Sequence, residues 1–196
     1  MRSILKKQDE QKKQRKNNII LGAILVVIML FSTAGYAFYG SDLTAPQEKT
    51  EEMGIEFEKT DYGYWQFNMQ GYAFETKYLP SETADISVFA PKTLQDYQSK
   101  PLYFGIDTEE DIQALGNQEI VKNLQNFVLR TNYACLSEDC SEDYSIKNCS
   151  ENNVIVFKQE DRPIVVKEND CIMIYTPSNS TERTADAFIF RLLGLK

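Results

Sequence analysis

The strongest constraint on this chain is a stretch without charge. NNIILGAILVVIMLFSTAGYAFYGS, from Asn17 through Ser41, contains no Asp, Glu, Lys or Arg. Within it, Ile19 to Tyr39 matches the ~20 residues that an α-helix needs to cross the hydrocarbon core of a bilayer. Residues 1–18 hold seven basic and two acidic side chains, a net +5, whereas the rest of the chain holds fourteen basic and 27 acidic, a net −13. Lys and Arg beside a span keep that flank in the cytoplasm. The sequence therefore predicts a cytoplasmic basic tail over 1–18, a transmembrane helix over 19–39 as the contact with the lipid bilayer, a polar linker over 40–53, and an extracytoplasmic domain over 54–196. Tyr36, Phe38 and Tyr39 fall where an outer aromatic belt would lie. The most apolar run, Ile19 to Phe31, also suits a signal peptide cleaved after Ala34 or Ala37. The long basic segment before it and the uncharged continuation to Tyr39 favour an uncleaved anchor. Either way, 54–196 ends outside the cytoplasm.

Charge and composition then narrow the function classes. The domain 54–196, with thirteen basic and 23 acidic residues, a net −10, repels phosphate backbones, so no nucleic-acid partner is predicted. The chain has no histidine, which removes Ser-His and Cys-His nucleophile pairs and the commonest zinc sites. Eleven Tyr and eleven Phe within 42% apolar content supply a core and argue against disorder.

Past the linker, the apolar residues alternate with period two. Ile55 and Phe57, then Trp65, Phe67 and Met69, then Tyr72, Phe74, Thr76 and Tyr78 form one face of three strands. Asp61-Tyr62-Gly63 and Gln70-Gly71 supply the turns of an antiparallel meander. Aromatics at that spacing read as one face of a core rather than a ligand platform. PKTLQDYQSKP reads as a short helix between prolines and LYFGID as a buried strand. TEEDIQALGNQEIVKNLQNFVLRT reads as a helix capped by Thr108, with Glu109, Glu110 and Asp111 complementing its dipole. Its apolar stripe is Ile112, Leu115, Ile120 or Val121, Leu124 and Val128, and Gly116-Asn117 is expected to break or bend it. NVIVFK, PIVVK and CIMIYTP are strands. A final amphipathic helix, capped by Ser180 or Thr181, presents Ala185, Phe188, Ile189 and Leu192 to the sheet. The predicted class is α+β, or α/β, with an N-terminal transmembrane helix, a meander, a mixed sheet and two or three packed helices.

The order YLPSE, LYFGID, NCSENNVIVF, NDCIMIY and TADAFIFRLLGLK resembles a group of small archaeal membrane-anchored extracytoplasmic proteins of unassigned function, over roughly residues 54–196. The resemblance implies an outer domain with strand cysteines and no catalytic residues. An Asp-Arg pair is expected in the last helix of such proteins, and here Asp186 is followed by Ala187.

Three of the four cysteines lie in CLSEDCSEDYSIKNC, Cys135 to Cys149. Their spacings lack the CxxC pairs of structural zinc or of a thioredoxin-like dithiol. Nearby Glu138, Asp139, Glu142 and Asp143 would raise a thiol's pKa rather than activate it. The acidic run also lacks the Asp/Asn alternation and Gly of a calcium loop, so neither metal nor cofactor is predicted. Outside the cytoplasm an even number of cysteines reads as disulfides. Cys171 opens an apolar strand and Cys149 shortly precedes another, which favours Cys149–Cys171 and leaves Cys135 with Cys140. NCS at Asn148 and NST at Asn179 match the N-glycosylation acceptor pattern.

The reading that absorbs these features is a single-pass, disulfide-stapled binding or structural module, with an envelope protein as partner and no catalytic residues. The alternative is a histidine-free hydrolase with two facing carboxylates, and a thiol oxidoreductase ranks third. The topology is directly testable. Protease added outside intact cells is expected to digest 54–196 and spare the basic tail, and a C-terminal domain protected under conditions that digest known external proteins would refute the orientation.

Overall fold

The computed structural model describes residues 16, 18–31, 48–106, 110–138, 140 and 144–196, in two units that divide between Gln47 and Glu48. In the first unit, residues 18–31 are helical (α1). Among the described residues no helix is long and apolar enough to cross a membrane. The last eight residues of the expected span, 32–39, and most of the basic tail lie outside the described residues, as do Thr108 and Glu109.

The second unit is α+β. Its antiparallel sheet runs in the order β1 (Lys49–Glu52), β2 (Ile55–Lys59), β3 (Trp65–Met69), β4 (Tyr72–Thr76). The turns follow from local chemistry. Met53 and Gly54 (φ 54° and 77°) join β1 to β2, and Gln70 and Gly71 (φ 53° and 83°) join β3 to β4. Positive φ at both central residues is the two-residue hairpin turn whose twist matches the strands. Phe57, Trp65, Phe67, Phe74 and Thr76 are buried on one face, so the aromatic stripe is core. β1 falls inside the stretch whose polar composition reads as linker. Composition reports side chains, whereas an edge strand is held by backbone pairing and tolerates charge; Lys49 pairs with Glu56 across the hairpin at 2.9 Å.

A 3-10 turn at Ser81–Thr83 leads into the second sheet, which is mixed. Its strands are β5 (Ser87–Phe89), β6 (Pro101–Gly105), β7 (Arg130–Ala134), β8 (Asn153–Gln159), β9 (Ile164–Glu168) and β10 (Cys171–Thr176), in the spatial order β5-β9-β10-β8-β6-β7. Only β9–β10 pairs antiparallel; the other neighbours are parallel. β8 and β10 sit in the interior of the sheet and are buried along nearly their whole length, which is why they read as continuous apolar runs rather than alternating ones. Three helices complete the unit: α2 (Leu94–Tyr97), α3 (Glu110–Leu124) and α4 (Thr181–Leu192).

Four expectations are corrected here. α3 is continuous through Gly116-Asn117. The glycine serves packing, because a Cβ there would lie 2.3 Å from the Phe157 ring of β8. The expected stripe holds at Ile120 and Leu124, with Val121 and Val128 packed beside them, but not at Leu115. Leu115 is 46% exposed, and the buried face runs through Gly116, Glu119, Ile120, Asn123 and Leu124. The helix ends at Leu124, and the residues predicted to prolong it turn instead into β7, with Leu129 N–H donating to Lys100 C=O at 2.9 Å. Finally, α4 is not amphipathic in burial. Ala185, Ala187, Phe188, Ile189 and Phe190 are all buried, as is Asp186. It packs on β5, β9 and β10 of the mixed sheet while Phe190 meets Phe67 of the antiparallel sheet at 6.2 Å. Residues of both sheets and of α3 and α4 form one apolar cluster. A helix covered from two sides has little surface left to be polar.

Gly116→Ala tests the packing reading. Alanine improves helix propensity by ~1 kcal/mol, yet overpacking costs about 1–3 kcal/mol. The variant is expected to unfold at lower urea concentration than the parent.

Candidate functional site

α3 leaves the mixed sheet along the β6–β7 side, and the space between helix and strand is a cleft of about 790 Å3. One wall is a face of α3 that includes Asn117, Gln118, Val121 and Lys122; the other is β7 from Arg130 to Tyr133, with Tyr144, Ser145 and Lys147 at one end. Among the described residues three cations and no carboxylate line it, in a domain that is otherwise strongly acidic. Lys122 is already compensated, 3.0 Å from Glu119 and 3.2 Å from Glu75, and lies over the Tyr64 ring at 3.9 Å. Lys147 sits over Tyr103 at 5.0 Å. Among the described residues neither Lys147 nor Arg130 has an ion-pair partner. Tyr133 and Tyr144, both substantially exposed, meet at 5.9 Å at the mouth.

One lining residue stands apart energetically. Asn117 is 4% exposed, and neither its Nδ2 nor its Oδ1 has a hydrogen-bond partner among the described residues. A buried amide left unsatisfied costs about 1–3 kcal/mol, and most buried polar groups avoid that cost. Here the donor and the acceptor stand side by side in a cleft wall.

The second polar feature lies behind that wall. Asp186 of α4 is 0% exposed; its Oδ2 accepts hydrogen bonds from Lys77 N–H (2.9 Å) and Tyr78 N–H (3.0 Å), just beyond β4. Its Oδ1 has no hydrogen-bond donor among the described residues, whereas the Glu119 carboxylate on α3 holds the Lys122 ammonium at 3.0 Å from Oε1 and 3.1 Å from Oε2. Glu119 is the neighbouring carboxyl that acts on Asp186. Burial first, then the Glu119 charge and the shared hydrogen bond, push Asp186 well above the usual carboxylate range. Protonated, the Asp186 carboxyl can donate from Oδ1 toward the Glu119 carboxylate. Asn123 completes the cluster. Its Oδ1 accepts from Glu75 N–H at 2.9 Å, and its Nδ2 donates to Glu75 C=O at 2.8 Å, so a helix side chain reads both backbone groups of a residue in edge strand β4.

The cysteines pair as Cys135–Cys140 and Cys149–Cys171, with Cα separations of 5.7 and 4.9 Å. Cys149 and Cys171 sit in a second apolar cluster with Tyr103, Val154, Val156 and Met173. Asn148 is exposed, its Oδ1 accepting from the backbone N–H and hydroxyl of Ser150; Asn179 is exposed on the 3-10 turn Ser178–Ser180. Neither asparagine lines the cleft, and the cleft residues carry no sequence signal. Asn117 reads only as half of a helix breaker, and Arg130 as the tail of a helix. Among the described residues no group of acids and cysteines is placed to hold a metal ion. Comparison with protein-family models, curated proteins and solved structures finds no match.

Asp186 makes stability depend on pH, with a definite sign. A carboxyl raised on folding contributes fully below its unfolded value, near 3.9, and that contribution is lost as pH rises through the folded value. Chemical unfolding of the parent is therefore expected to become easier as pH rises above the ordinary carboxylate range. Asp186→Asn keeps both backbone acceptor bonds and offers Glu119 a permanent donor, so it is expected to flatten that profile and to exceed the parent at high pH. Asp186→Ala strands the partners and is expected to cost about 3–5 kcal/mol.

Proposed function

We propose that this chain is a single-pass membrane protein that presents a disulfide-stapled binding module on the outer face of the cell membrane, and that the α3–β7 cleft is where the module binds. The unbound amide of Asn117 carries the reading. A group buried at a free-energy cost beside a cleft of ligand size is accounted for when the occupant supplies its hydrogen bonds. The membrane half rests on the uncharged stretch after a basic tail, and on α1, whose Ile, Leu and Val side chains are exposed along its length. Apolar residues all round a helix belong in a core or a bilayer.

The hydrolase alternative requires two carboxylates open to substrate. The facing pair that exists, Glu119 and Asp186, is sealed at 4% and 0% exposure and is used to tie elements together. Thiol exchange requires an accessible sulfur, whereas Cys135, Cys149 and Cys171 are buried and all four cysteines are bonded.

Asn117→Leu separates a binding role from a structural one. Replacing an unsatisfied buried amide by an apolar group of similar shape is expected to stabilise the domain by about 1–2 kcal/mol while abolishing association with the native partner in solubilised membranes. A variant that loses stability, or that retains association, would refute the assignment.

A further inference from the structure

We infer that the α3–β7 cleft receives an extended acidic peptide as an added strand, with Asn117 hydrogen-bonding its backbone; this rests on the cleft being the binding site. β7 is an edge of the mixed sheet. Ala134 C=O accepts from Ile106 N–H at 3.0 Å, toward β6, whereas Cys135 faces the other way: its N–H donates to Ser145 C=O (3.2 Å) and its C=O accepts from Lys147 N–H (2.9 Å). Backbone groups alternate along a strand, so Thr131 and Tyr133, like Cys135, turn theirs away from β6 and into the cleft. The chain has thus begun to add a parallel strand at this edge, at the Cys135–Ile146 bridge, and among the described residues it stops there. An edge with unpaired N–H and C=O groups facing a helix is the site that strand-adding peptides use.

Asn117 fits the same occupant. Six residues farther along α3, Asn123 reads the N–H and C=O of Glu75 on edge strand β4. Asn117 offers the same donor and acceptor in the cleft wall, with no partner for either among the described residues. The peptide's charge follows from the wall: among the described residues Arg130 and Lys147 have no ion-pair partner, and no Asp or Glu lines the cleft. Charge-assisted hydrogen bonds to carboxylates would complete both cations. An acidic glycan would meet the cations and the Tyr133–Tyr144 pair but would leave the alternating backbone groups of β7 unused.

The test pans a random heptapeptide display library against the immobilised full chain and measures synthetic copies of the enriched peptides by fluorescence anisotropy. Enriched sequences are expected to carry Asp or Glu. N-methylation of alternate peptide amides in one of the two registers is expected to weaken binding at least tenfold, as are Asn117→Leu and the double change Arg130→Glu with Lys147→Glu. Thr131→Pro removes an outward N–H that β6 does not use, a place where an edge strand accepts proline; it is expected to weaken binding at least tenfold with an unchanged melting temperature. Insensitivity to N-methylation in both registers, enrichment without acidic residues, or no enrichment overturns strand addition. Oligogalacturonate, an acidic glycan, is the parallel probe. If it binds in an Asn117-sensitive manner and the peptides do not, the cleft remains the binding site and only the peptide inference falls.

Discussion

The carboxyl of Asp186 is the point on which the second unit closes. It lies inside a helix that two sheets cover, and no solvent reaches it. One oxygen takes the backbone N–H groups of Lys77 and Tyr78, where the antiparallel sheet ends; the other faces Glu119 on α3. A single side chain therefore fixes α4 against the meander and against α3 at once. The surrounding contacts are apolar and non-directional, Phe190 on Phe67 among them, and such contacts tolerate sliding. Hydrogen bonds at the centre of the core do not. Lys77 to Glu182 at 2.6 Å and Arg183 to Asp85 repeat the connection at the first turn of α4, where exposed pairs contribute little.

α3 inherits its position from that arrangement. Gly116 lets it approach Phe157, and Asn123 locks it to the backbone of β4. With one flank held this closely, the opposite flank stands away from β7, and the gap between them is the cleft. A helix pinned on one side by an asparagine that reads a strand, and carrying a second asparagine with free hydrogen-bonding groups on the other, has the means to hold an added strand without rearrangement. Pre-organisation of this kind lowers the ordering cost of binding.

The two disulfides act on different parts of this frame. Cys149–Cys171 fastens the loop before β8 to the first residue of β10, closing a sequence separation of 22 residues; a loop of about that size corresponds to roughly 3 kcal/mol in the chain-entropy account. Cys135–Cys140 spans only five residues, and its consequence is local. It turns the chain back after β7, and residues 145–147 then pair along the edge at Cys135. The second staple therefore closes one end of the cleft that the strand opens.

What the sequence determined by itself is whatever depends on near neighbours along the chain. Period-two alternation marked β2, β3 and β4, Gln70-Gly71 marked a turn that needs positive φ, and apolar runs marked β6, β8, β9 and β10. Adjacent strands also made Cys149 and Cys171 the natural pair. The tertiary structure alone decided the rest. β1 is polar and joins its sheet through backbone groups that composition does not report. α4 is buried on both sides because a second sheet covers it, and its own pattern carries no trace of that sheet. Glu119, Asn123 and Asp186 look like solvent-facing residues until long-range folding supplies their partners, Asp186 finding Lys77 across 109 positions. Asn117 was read as a breaker because its nearest neighbour is a glycine; only the approach of β8 to Gly116, and the retreat of β7 on the other side, made it a buried amide at the wall of a cleft. Propensity and periodicity are sums over a few residues, whereas burial and hydrogen-bond satisfaction are settled by whichever distant segment arrives.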